Sequence, residues 1–384
     1  MTTSDAAALR RELADRLAAE GLLRSPSWRA AVEAVPRELF LGQAVFRFET
    51  DETKPPWTPV RRSDADEPAW LAMAYADRTW VTQVEDVPAD RAEGPLDGAP
   101  TSSSSLPGLV VGMLEDLDVH EGHSVLEIAT GTGYSTALLC HRLGAEAVTS
   151  VEIDPRVAER ARRALHAIGQ HPRLVVGDGF GGADTGADYD RIIATCSWRY
   201  LPQPWLYQVD TGAKILLTLS GWMDANAQVM LEVDEAGTAQ GRFLPGYRSF
   251  MMARSHQPPP HGPVFFPPGA DEHPTDVGPE LLDDWTGRFL AQLAAPAAQH
   301  IGNAAETLLW DVVTGSQARV RADAQGPRVA QHGPVRLWDA VEEAAAAWRS
   351  AGRPHISAFG MTATPSEQRV WLGSPEGPTW RLPV

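Results

Sequence analysis

The chain is poor in cysteine, with two residues, Cys140 and Cys196, among 384. Both sit in apolar segments, so no disulfide framework is expected, and a reducing compartment, the cytoplasm, is the expected location. Positive charge is also scarce: 33 Lys and Arg face 50 Asp and Glu, a formal net charge of −17. That argues against nucleic acid as the main partner, because binding a phosphate backbone needs a basic footprint. No apolar run reaches the roughly 18 residues of a membrane span. The opening MTTSDAAALRRELADRLAAEGLL is interrupted throughout by acids and arginines, so it does not read as a signal peptide. His120, His123, His141 and His166 are scattered without ligand spacing, and no metal is expected.

What the chain does have is an alternation. From Pro107 on, LVVGMLEDL reads as a helix, HSVLEIAT as a buried strand and TGYSTALLCHRLG as a helix. AVTSVEID, PRVAERARRALHAIG, PRLVVGD and YDRIIAT continue as strand, helix, strand, strand. WLYQVDTG is expected to close a helix and KILLTLSG to form a fifth strand. Strands and helices at this spacing predict an α/β, doubly wound, Rossmann-like parallel sheet. Upstream, residues 49–70 read as a loop, and TWVTQVEDV alternates like a strand. The stretch TSSSSLP, 101–107, reads as a loop that enters a helix at Pro107. Downstream of Arg254, HQPPPHGPVFFPPGADEHP is a proline-rich connector, followed by a smaller α+β region. The expected domains are 1–254, comprising a substrate-side region 1–106 and a core 107–254, and an accessory domain 255–384.

The chemistry concentrates in VLEIATGTGYSTALL, 125–139. Gly131 and Gly133 let the backbone turn sharply from strand to helix and approach a ligand closely. The helix start presents unpaired N–H groups and the positive end of a dipole. Glu127 precedes the turn in the strand. Glu152, at the tip of the next strand, suits two ribose hydroxyls, and Asp178, after the third, suits an adenine amino group. Together they predict S-adenosylmethionine rather than a dinucleotide, whose G-x-G-x-x-G spacing is absent. The amino-methyltransferase pattern N/D-P-P-Y/F is also missing after the fourth strand, where the chain reads ATCSWRYLP. A carboxylate acceptor needs no such clamp and no base, being already nucleophilic at neutral pH. It needs orientation and partial desolvation. Hydroxyls provide these without neutralising its charge, which makes a serine-rich segment beside the methyl donor chemically sensible.

The residues also carry a resemblance. AVEAVPRELF, AYAD, SSSLP, VLEIATGTGYSTALL, VTSVEID, VVGDG and IIATCSWRYLPQPWLYQVDTG resemble, in order, segments of the protein-L-isoaspartate O-methyltransferase family over about 32–212. The resemblance implies a SAM-type Rossmann domain, with Ser105 on the family's catalytic serine. Ser103, Ser104 and Cys196 are expected on the substrate side. Glu127, Ala129, Gly131, Gly133, Glu152, Asp178 and Gly179 fall on cofactor positions, and Thr130, Thr132, Tyr134 and Ile153 are taken with them. The chain departs from the pattern at Leu106, where the family has Gln, and in a longer segment between AYAD and the serines. The C-terminal region is expected to lack a counterpart in the repair enzyme. It resembles actinobacterial relatives associated with maturation of ribosomal peptides, graspetides or lanthipeptides. That resemblance implies a methyl ester on an aspartate of a modified peptide, cyclising to an aspartimide and then opening to isoaspartate. The alternative is repair of isoaspartyl proteins. The implied partner is a peptide or protein bearing Asp or isoAsp, with no nucleic acid and no membrane; the oligomeric state is open.

Overall fold

The computed structural model describes residues 3–51, 53–183, 186, 188–260, 265–303 and 305–384. Its contacts divide the chain into two compact units, Met1–Thr195 with Tyr207–Lys214, and Cys196–Leu206 with Ile215–Val384. Among the described residues, no helix is long and apolar enough to cross a membrane.

The first unit contains the expected alternation. Parallel strands Tyr189–Trp198, Val125–Ile128, Val148–Glu152 and Arg173–Val176 lie side by side in that order. The central pair is buried along its whole length, as expected for parallel strands covered on both faces. Helix Tyr134–Leu143 follows the first of these strands in sequence, and Pro155–Ala167 follows the second. Asp154 caps the latter, accepting from the backbone N–H of Arg156 and Val157 ahead of a proline at its start. Apolar positions Val157, Ala158, Ala161 and Leu165 form the buried stripe of that helix.

The N-terminal part of this unit is more regular than its composition suggests. Residues 49–70 are not one loop: Trp57–Arg61 pairs antiparallel with Ala44–Phe48, and Glu67–Ala74 is helical, capped by Asp66. The serine run is likewise a correction. Pro100–Ser104 is a strand, paired antiparallel with Trp80–Val84 through Trp80↔Ser104 and Val81↔Ser103. Serine has little intrinsic strand preference, and this segment owes its form to its neighbour, whose β-branched and aromatic residues are all buried. Phe46, Val81, Val84, Ala89 and Ala92 form the core beneath. The helix expected through WLYQVDTG is a short 3-10 turn ending at Tyr207, and strand Val209–Leu219 begins two residues later. The buried Gln208 intervenes; its side chain donates to the Gly181 carbonyl and accepts from the Ala183 N–H.

The second unit begins well before the expected boundary at 254. The reason is pairing at long range: Ala239–Phe243 pairs with Phe359–Ala363, and Ala227–Val233 pairs with Ala239–Phe243. A separate five-stranded antiparallel sheet runs in the order Asp271–Pro274, Gly326–His332, Gln317–Asp323, Glu306–Asp311, Ala298–Gly302. Helices Trp285–Ala294 and Leu337–Ser350 contribute Ala291, Trp338, Val341 and Ala345 to a core shared with Leu309, Val320 and Val329. The fold is thus an α/β sheet of mixed direction with an added antiparallel C-terminal sheet.

Candidate cofactor and acceptor site

Three residues of the turn between Ile128 and Tyr134 adopt positive φ: Ala129 at 71°, Gly131 at 55° and Gly133 at 89°. At Gly133 a side chain is disfavoured twice, by strain at its φ and because a methyl group there would crowd the Ala161 side chain at 3.2 Å. Gly131 faces more open space; a methyl group there would meet only the Ser103 carbonyl oxygen, at 3.5 Å. Ala129 stores strain, since an L-residue rarely adopts this conformation. Its backbone N–H donates to the Val151 carbonyl at 2.9 Å, and its carbonyl accepts from the Thr195 hydroxyl at 2.6 Å.

Glu127 supports this turn from inside. It is fully buried and accepts from the hydroxyls of Ser135, Thr136 (2.5 Å) and Ser150 (2.7 Å). Burial pushes its carboxyl above the usual range, against the opposing pull of those hydroxyls. Both Glu127 oxygens thus face hydroxyls of the protein interior. Thr130 is also buried, sharing a 2.6 Å hydrogen bond with Ser150, so only its backbone lines the turn. The Tyr134 side chain packs into the core against Phe40, and burial pushes its phenol up to about 12. Thr132 is half-buried on the turn.

Glu152 stands at the tip of its strand, accepting from the Gly131 N–H at 2.9 Å and the Asp154 N–H at 3.0 Å. Beside it Ile153 is exposed, as are Val176 and Phe180 around Asp178. Gly179 is buried, and Asp178 accepts from the Phe180 N–H at 2.9 Å. Exposed apolar side chains flanking an acceptor suit a flat heterocycle with an amino group. The open face of Gly131, the helix start and this apolar rim together fit the nucleoside and amino-acid parts of S-adenosylmethionine.

The acceptor side is the serine strand. Side chains alternate across a strand; Ser102 and Ser104 are buried, while Ser103 and Ser105 are half-buried. Of the three serines expected on this side, Ser103 and Ser105 are thus the more accessible. Among the described residues the Ser105 hydroxyl has no hydrogen-bond partner, while its flanks are fixed. The Leu106 N–H donates to the Thr79 hydroxyl at 3.1 Å, and the Gly108 N–H donates to Asp77 at 2.7 Å, capping the helix that Pro107 begins. Gln83 ties strand to turn: it accepts from the Thr101 hydroxyl at 3.1 Å and donates to Asp154 at 3.0 Å. Although burial alone would raise the Asp154 carboxyl, the donors from Gln83, Arg156 and Val157 hold it below the usual range. Cys196 belongs to the second unit, where it is half-buried. Thr195, Gln83 and Thr79 carry no motif that would single them out. Asp154 stands before Pro155, a signal of helix capping, whereas nothing beside Asp77 marks it as the acceptor for a helix start 31 residues downstream.

Parallel strands leading into a glycine turn, with an acid closing the second strand and an aspartate following the third, define an S-adenosylmethionine-dependent methyltransferase. The family model described as Protein-L-isoaspartate(D-aspartate) O-methyltransferase (PCMT) matches residues 65–242. The protein-L-isoaspartate O-methyltransferase of Ignicoccus hospitalis is 30% identical over 210 residues, spanning 54% of this chain and 80% of that relative. Protein-L-isoaspartate O-methyltransferase 1 of Archaeoglobus fulgidus is 33% identical over 212 residues, 55% of this chain and 79% of the relative. The chain belongs to the PCMT family and is an S-adenosylmethionine-dependent protein carboxyl O-methyltransferase. A solved structure of a protein-L-isoaspartate O-methyltransferase superposes with a TM-score of 0.54 at 18% identity, covering 95% of this chain and all of the other. The C-terminal region thus has a counterpart in fold within an enzyme of that name, contrary to expectation.

Proposed function

We propose that this chain methylates the free α-carboxylate of isoaspartyl residues in proteins or peptides. The observation that carries this reading is the Ser105 hydroxyl, half-buried and without a partner among the described residues, immediately after a strand whose Ser103 carbonyl faces the open side of Gly131. S-adenosylmethionine, when bound, supplies an electrophilic methyl group and leaves as S-adenosylhomocysteine. Gly131, Thr132, Gly133, Glu152, Ile153, Asp178 and Gly179 would hold it, with Ala129, Thr130 and Tyr134 shaping the turn through backbone and packing. A carboxylate can accept about four hydrogen bonds, so the backbone contacts of Glu152 are compatible with a role toward ribose hydroxyls.

The protein's remaining task is positional. An ionised acceptor carboxylate is already the nucleophile, and Ser105, with Ser103 beside it, would orient it by donating a hydrogen bond without taking its charge. The product ester replaces a carboxylate that repels nucleophiles with a carbonyl bearing a neutral leaving group. The neighbouring backbone nitrogen can then displace methanol and close a succinimide. The names of the relatives favour isoaspartate as substrate. A second reading is esterification of an ordinary aspartate in a modified ribosomal peptide; Leu106 and the longer segment before the serines favour it. Incubation with S-adenosylmethionine and matched isoaspartyl, aspartyl and cross-linked aspartyl peptides separates the two. Methyl gain on the isoaspartyl peptide supports repair. Methylation confined to the cross-linked aspartyl peptide, followed by net loss of water, overturns it.

A further inference from the structure

Beneath the serine strand lies a buried cation with no buried anion bonded to it. Arg37, from VPRELF, has no exposed surface. One terminal nitrogen donates to the carbonyls of Ala74 (2.6 Å) and Ala76 (3.1 Å). The other donates to the carbonyls of Arg78 (2.9 Å), Ser104 (3.4 Å) and Ser105 (3.0 Å). Its guanidinium also lies 5.8 Å from the ring centroid of Tyr134, the residue after Gly133. Burial lowers its pKa to about 10, so it remains a cation at neutral pH.

Burying a charge is costly unless its bonds are satisfied. Here the two terminal nitrogens are satisfied by main-chain carbonyls from two segments distant in sequence, an aromatic face lies on the helix that starts at the glycine turn, and only the buried Nε has no partner among the described residues. A planar fork with several donors can bridge such carbonyls at once; a lysine ammonium cannot span them. A hydrophobic residue of similar size would fill the space but leave those carbonyls unpaired. The arrangement fixes the backbone of Ser105 from below, while Thr79 and Asp77 fix the backbone of Leu106 and Gly108. The Ser105 hydroxyl makes none of these bonds.

We infer that Arg37 is a positioning residue for methyl transfer, locking the main chain at Ser104 and Ser105 against the 74–78 segment so that the Ser105 hydroxyl meets the acceptor. The inference rests on Ser105 being the residue that contacts the acceptor carboxylate. Misplacement of a reacting group by about 1 Å can cost on the order of 100-fold in rate.

The test uses the full-length chain and an isoaspartyl peptide. Arg37→Lys is expected to lower kcat by roughly 10- to 100-fold, with S-adenosylmethionine affinity by calorimetry within about twofold of the parent. Combined with Ser105→Ala, it should add nothing beyond Ser105→Ala alone, because it acts through that hydroxyl. Thr79→Val removes the acceptor of the Leu106 N–H without touching the buried cation. It should show the same non-additive loss, smaller in size, and it decides the matter if Arg37→Lys does not fold. Full additivity with Ser105→Ala, or unchanged kcat in both Arg37→Lys and Thr79→Val, overturns the positioning role. A fully active Ser105→Ala instead overturns the reading of Ser105 itself, and the two failures are thus told apart.

Discussion

The glycine turn of 129–133 and the serine strand of 100–104 face each other at Gly131 and Ser103, yet they are held by different means. The turn is fixed by a carboxylate underneath it: Glu127 gathers hydroxyls from the next helix and the next strand. The serine strand has no such internal anchor. It is fixed from outside by Gln83, Thr79, Asp77 and Arg37, all far upstream in sequence. Local support gives a cofactor side that forms within one strand–turn–helix–strand unit, residues 125–152. Remote support makes the geometry of the acceptor side depend on the packing of the whole N-terminal region.

The contrast can be broken first at Glu127. Glu127→Ala leaves three buried hydroxyls without their acceptor, and at about 1–3 kcal/mol for a buried unsatisfied group a loss of roughly 3 kcal/mol in stability is expected by urea denaturation. S-adenosylmethionine affinity should fall with it. Ser105→Ala should act oppositely: about 2 kcal/mol lost from the transition state, scaled from removal of a single hydrogen-bond donor, with stability and cofactor affinity nearly unchanged. Steady-state kinetics beside calorimetry check this. Asp178→Ala should weaken S-adenosylmethionine binding by about 1 kcal/mol, typical of one lost hydrogen bond, and leave acceptor KM unaffected.

Acid–base behaviour sharpens the same contrast. The Glu127 carboxyl is raised by burial, so its contribution to stability is full below the ordinary glutamate range and is lost as pH rises through its folded value. Asp154, which receives Gln83 from the serine side, is depressed; its contribution is full above the ordinary aspartate range and is lost as pH falls through its folded value. Glu127→Gln should flatten the first dependence, and Asp154→Asn the second, in denaturation measured across pH. The smallest effect is expected at Ala129→Gly. Relief of positive φ and the extra freedom of the unfolded chain oppose each other, for a net gain of about 0.5 kcal/mol, read as a slight rise in Tm.

The parallel strands and the glycine turn are legible in the sequence because their signals are local: continuous apolar runs, glycines at fixed offsets and Asp before Pro at a helix start. Glu152 and Asp178 come with them, each at a strand end. The serine strand is not legible, because four serines carry no apolar alternation and the segment's form is set by pairing with Trp80–Val84. The boundary of the second unit is hidden for a similar reason. The partner of Ala239–Phe243 lies at Phe359–Ala363, on the far side of a proline-rich stretch that reads as a break. Glu127 stands out in the sequence but its task does not, since its place beside the turn does not reveal which way its oxygens face.

The alternation along the serine strand has one more consequence. With a period of two, loss or gain of a single serine in the run would turn Ser102 and Ser104 outward and bring the opposite hydroxyls into the core. Such a change would be almost invisible in composition and in any motif written as a run of serines. The length of this run therefore constrains the acceptor side more tightly than its content does.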